Sequence, residues 1–166
     1  MFDKIGDMPL HPLVIHAVVA GVPMAALLAF LFAFPKTREW ARWPFAVVVV
    51  GATAVTFVAR QSGLAFQASL GIKPGNPVGN LILQHSLLAN QLFYIMIVFA
   101  AIGLINVFAV RKSTTDSAKQ PAIIRIVLPI LLVAAALVAL IWIVRVGDLG
   151  ARAVWNPMSP PLFNFP

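Results

Sequence analysis

The chain has 166 residues, is 61% hydrophobic and only 10% charged, and carries a formal net charge of +7 with no cysteine. A soluble domain holds about 25% charged residues, so the shortage points to lipid rather than a water-facing surface. The missing cysteine excludes disulfides, iron–sulfur ligation, covalent haem attachment and a thiol nucleophile, and no charge block or nucleic-acid motif accompanies the positive balance.

Helix one is expected over about 12–34. Pro12 suits a first helical position, and His11 before it falls at the water boundary. His16 lies five residues further on, about 7 Å deeper and on a different face, so the two are not a chelating pair. Ala17, Gly21 and Ala25 form a ridge of small residues for close helix packing. Pro23 should kink the helix and free a carbonyl. Asp3, Lys4 and Asp7 lack the basic start of a secretory signal, so helix one is expected to be retained.

Helix two is expected over about 44–63, and reaches spanning length only if Arg60 is included. The segment from Gln61 to Asn80, rich in Gly and Pro after Gly71, reads as a loop. Helix three is expected over about 80–110, opening with His85 and then Asn90 and Gln91. Helix four is expected over about 121–147, with Pro129 inside and Arg145 and Asp148 at its close. The tail over 156–166 is Pro-rich, aromatic and uncharged, and is expected to be extended. The fold expected is a single all-α domain over residues 1–155, an integral membrane four-helix bundle, and no internal repeat is evident.

Charge gives the orientation. Lys36, Arg38 and Arg42 follow helix one, and Arg111, Lys112, Lys119 and Arg125 follow helix three. These seven, against Lys4, Arg60, Lys73, Arg145 and Arg152 at the other end, place both termini on the outer, non-cytoplasmic side. Trp40 and Trp43 mark the inner boundary, and Trp142 and Trp155 the outer one. Thr53, Thr56 and Asn106 are expected to bond helices together.

All three histidines then share the outer mouth with Arg60, Gln61, Asn90, Arg145 and Asp148. His16 and His85, from different helices at similar depth, could hold a haem b iron, with Arg60, Arg145 or Arg152 on its propionates. His11, His16, His85 and Asp148 are alternatively a ligand set for a transition metal such as zinc or copper. A structural alternative is interfacial histidines bonding a neighbouring helix, with an Arg60–Asp148 ion pair. No Ser–His–Asp arrangement, phosphate loop or H-E-x-x-H is present, so no enzyme is expected. Glu39, the only glutamate, lies at the opposite end.

The opening Pro9-Leu10-His11-Pro12-Leu13-Val14-Ile15-His16 resembles a bacterial membrane family catalogued as domain of unknown function 2231. The likeness continues at Gln61-Ser62-Gly63, at His85 and from Gly147 to Trp155. Some members are linked to Rieske-type redox domains. The resemblance therefore implies a bacterial inner-membrane protein and membrane electron transfer, with His11, His16 and His85 as the positions of interest. Asp148 departs from a histidine that many members carry. The function expected is a non-catalytic accessory subunit of a respiratory or photosynthetic complex. It would contact a larger partner through the loop 61–80 and the tail 155–166. A haem- or metal-binding membrane protein is the alternative.

Overall fold

The computed structural model describes residues 4–71, 73, 75–110, 121 and 123–158. A short hairpin, β1 (Lys4–Ile5) and β2 (Met8–Pro9), turns at Gly6 and leads into α1 (Leu10–Ala33). There follow α2 (Arg38–Leu70), α3 (Pro77–Ala109), a π-helical turn over Ile123–Val127 and α4 (Leu128–Trp155). Among the described residues, four helices are long and apolar enough to cross a membrane.

Each helix packs on two neighbours. The closest pairs are α1–α2 and α3–α4, then α2–α3 and α1–α4, so the four close into a ring around one core. Phe45 occupies the centre, with its ring 5.7 Å from that of Phe32 and 5.9 Å from that of Phe99. Gly103 makes room for it, since a Cβ there would fall 2.6 Å from Phe45 Cζ. Large apolar side chains such as Leu27, Val47, Phe108 and Ile130 point outward, as a lipid-facing surface requires.

The helices are longer than the apolar runs that announce them. The expected loop 61–80 is corrected to helix as far as Leu70 and helix again from Pro77. The stop and start signals are local. Gly71 caps α2 in the left-handed conformation at φ 62°. Asn76 caps α3 by accepting from the Gly79 backbone N–H at 2.7 Å, with Pro77 at the first position. Pro44 lies seven residues into α2 rather than at its start. The turn before it is held because Arg38 donates to Phe32 O and Ala33 O at the end of α1. Pro129 stands in the first turn of α4 after the π-helical turn, not in mid-helix. Arg111, Lys112, Lys119 and tail residues 159–166 lie outside the described residues.

An internal repeat is present, contrary to the sequence reading. A shift of 74 residues carries His11 to His85, and it also carries buried Val18, Val22, Ala25 and Ala26 of α1 onto buried Leu92, Met96, Phe99 and Ala100 of α3. A shift of 87 carries Phe45, Val49, Ala52, Thr56, Ala59 and Ser62 of α2 onto Leu132, Ala136, Ala139, Ile143, Val146 and Leu149 of α4, again all buried. The two hairpins, α1–α2 and α3–α4, are thus related by an approximate two-fold along the bundle. Few residue identities persist, His11/His85, Ala26/Ala100 and Ala52/Ala139 among them, so the repeat shows mainly in the burial pattern.

Candidate functional site

At the end of the bundle where α1 begins, two histidines make the same contact from opposite halves. His11 Nδ1 donates to Ala59 O of α2 at 3.0 Å, and His85 Nδ1 donates to Val146 O of α4 at 2.9 Å. Each ring lies over a glycine one turn further along the accepting helix. A Cβ on Gly63 would stand 3.1 Å from His11 Cε1, and one on Gly150 would stand 3.1 Å from His85 Cε1. The two rings are neighbours, with centroids 6.4 Å apart and planes close to perpendicular at 83°. Phe66 stacks on His11 at 6.2 Å.

A carbonyl can only accept, so each Nδ1 carries the proton. In the neutral ring that leaves the lone pair on Nε2. Metal-ligating histidines are commonly held this way, with the far nitrogen bonded to a backbone carbonyl and the near one free. The halves differ in one detail. Ser62 Oγ also donates to Ala59 O, at 3.1 Å, whereas the matching position in α4 is Leu149.

His16 does not join the pair. It is exposed on α1, and its Nδ1 donates to Pro12 O of its own helix at 2.8 Å. The expected His16–His85 partnership is corrected to His11–His85. The reason is rotational: Ala59 O and Gly63 form a seat at the level of His11, while His16 turns away from the core. The four-ligand set of His11, His16, His85 and Asp148 is not assembled, and among the described residues no three His, Asp or Glu side chains stand together as metal ligands.

The remaining polar residues form a rim. Arg60 Nε donates to Asn90 Oδ1 at 2.8 Å and its Nη1 to Gln61 Oε1 at 3.1 Å, with the guanidinium 5.8 Å from the Phe93 ring centre. Asp148 pairs with Arg152 at 2.8 Å, so the expected Arg60–Asp148 bridge is replaced by one within α4. Arg145 lies over Trp142, 5.1 Å from its centroid, and Trp142 Nε1 donates to Gln91 Oε1 at 3.0 Å. Thr53 links α2 to Met96 O of α3, and Asn106 links α3 to Leu128 O of α4. Thr56 instead bonds Ala52 O of its own helix.

The opposite end carries groups that sequence reasoning treated only as charge. Arg42 donates to Val107 O and Val110 O at the end of α3, and Arg38 to the end of α1. The signal was available: basic residues beside helix C-termini meet carbonyls that have no partner within their own helix.

A family model described as "Predicted membrane protein (DUF2231)" matches residues 7–158. The chain belongs to that family. The match takes in both hairpins and both histidine seats, and the family's description names a membrane location and no activity. No curated protein and no solved structure matches the chain.

Proposed function

We propose that this protein holds one metal centre between Nε2 of His11 and Nε2 of His85, and that it serves a membrane electron-transfer assembly as a non-catalytic subunit. The observation that carries the reading is the paired seat. Two neighbouring rings from symmetry-related helices have their Nδ1 atoms bonded to carbonyls, which leaves an Nε2 lone pair on each. A metal bound by two imidazoles at about 2 Å from each nitrogen sets the ring centres about 6 Å apart when the two are trans and about 5 Å apart when they are tetrahedral. The observed separation is 6.4 Å. A free transition-metal ion and a haem b iron share this ligation. Arg60, whose described partners are neutral, is the cation placed to meet an acidic group such as a propionate. The charge bias of the loops supports a reading in which the histidine end lies on the outer face of a bacterial inner membrane. The α2–α3 turn and the tail beyond Trp155 would then face the partner complex.

The test is an absorption spectrum with elemental analysis on protein purified in mild detergent from haem- and metal-replete cells. A Soret band indicates haem, and about one equivalent of metal without that band indicates an ion. His11→Ala and His85→Ala should each abolish the signal, while His16→Ala retains it. A colourless, metal-free preparation overturns the reading, as does equal loss in His16→Ala.

A further inference from the structure

The two-fold makes each seam between hairpins a template for the other, and the two seams are filled differently. Between α2 and α3, Phe57 meets Phe93 with ring centres 5.6 Å apart, and Arg60 donates to Asn90 at 2.8 Å. The shifts that align the halves carry Phe93 to Val19, Phe57 to Val144, Arg60 to Gly147 and Asn90 to His16, so the repeat assigns these four positions to the α1–α4 seam. Three of these four exchanges remove bulk. Val19 and Val144 are 56% and 53% exposed. His16 and Gly147 are exposed as well, and a Cβ built on Gly147 meets nothing within 4 Å.

The groups missing from this seam have a common chemistry. Two phenyl rings and a guanidinium are flat, and the guanidinium donates a hydrogen bond to the residue that His16 replaces. His16 can accept one, because its Nδ1 proton is engaged by Pro12 O and the neutral ring keeps its lone pair on Nε2. The occupant that restores the packing of the filled seam is therefore flat, apolar along the helices and donor-tipped at His16.

We propose that the α1–α4 seam is a binding groove for a bilayer-borne aromatic alcohol of the hydroquinone class, with its ring beside Gly147, its hydroxyl donating to His16 Nε2 and its apolar chain along Val19 and Val144. A phospholipid acyl chain could cover the valines, but it supplies neither a flat group beside Gly147 nor a donor to His16. The groove uses none of the residues of the His11–His85 seat, so this inference stands or falls separately from the metal centre.

The test is equilibrium binding of a decyl-substituted dimethoxymethylhydroquinone to the full chain in phospholipid nanodiscs, kept reduced at pH 8. The dimethyl ether of the same molecule serves as the comparison. Saturable binding is expected. Gly147→Phe, which fills the vacancy, and His16→Leu, which removes the acceptor, should each weaken it about tenfold or more, as should the ether. Val19→Phe gives a second filling variant should Gly147→Phe fail to fold. Absence of saturable binding overturns the proposal, as does binding indifferent to the filling variants. Equal binding of the ether, or an unaltered affinity in His16→Leu, shows an apolar groove without donor recognition and overturns the assigned class.

Discussion

The two ends of the bundle solve one problem with different chemistry. At the arginine end, Arg38 and Arg42 bring permanent charge to carbonyls at the ends of α1 and α3. Most of their hydrogen bonds go to the backbone, with Arg42 Nη2 also reaching Glu39 Oε1 at 3.4 Å, while one donor, Arg42 Nε, and one acceptor, Asn106 Oδ1, are buried without a partner among the described residues. At the histidine end, neutral rings bond carbonyls of helices that run on past them, and each ring keeps a nitrogen in reserve. Arginine closes helix ends and holds the bundle. Histidine links neighbouring helices and leaves an atom able to bind something else.

Three substitutions probe that contrast. Arg42→Ala should have the largest effect. It strands two carbonyls, at 3.0 and 2.6 Å from the guanidinium nitrogens, and hydrogen bonds to charged groups contribute about 1.5–3 kcal/mol each. A loss of about 3 kcal/mol is expected in reversible unfolding in mixed micelles, with no change at the histidine seat. A loss under about 1 kcal/mol would mean that the arginine end is not what holds the bundle. Gly150→Val comes next. Even a Cβ there presses on the His85 ring at 3.1 Å, so the ring must move or α4 must shift, at an overpacking cost of about 1–3 kcal/mol. The expected signature is a displaced His85 imidazole resonance with the His11 resonance less altered. Parallel movement of both would show the two seats to be mechanically coupled. Ser62→Ala should be the mildest. Its hydroxyl shares Ala59 O with His11, and Leu149 does without one in the other half, so about 1 kcal/mol or less is at stake.

The sequence was most legible where hydropathy governs. The low charge and the four apolar runs led to a membrane bundle, and the opening Pro9–His16 segment led to the family that matches residues 7–158. Helix ends were less legible, because an apolar-run criterion stops at the first polar residues. Arg60, Gln61 and Ser62 are helical because their side chains bond across the bundle or back to α2 itself. The site was half legible. Histidines at one end were evident from topology, but choosing between His11 and His16 depends on which helical face meets Ala59 and Gly63, and spacing within α1 cannot supply that. The repeat was hidden for a related reason. Packing conserves where side chains are buried far more strictly than which apolar side chain fills each place, so Phe45 can stand opposite Leu132 with little trace in the letters.

The repeating unit has two spans, and that even number has a consequence for how such a chain can arise and enter a bilayer. A hairpin with an even number of crossings returns to the side from which it started. A tandem copy can therefore follow through one connecting segment without inverting its topology, and each copy can insert as a unit of the same polarity. Two identical hairpins meeting about a two-fold would already align both histidine seats. Joining them in one chain then frees each half to drift alone, which is how a seam on one side can stay packed while its counterpart loses its filling.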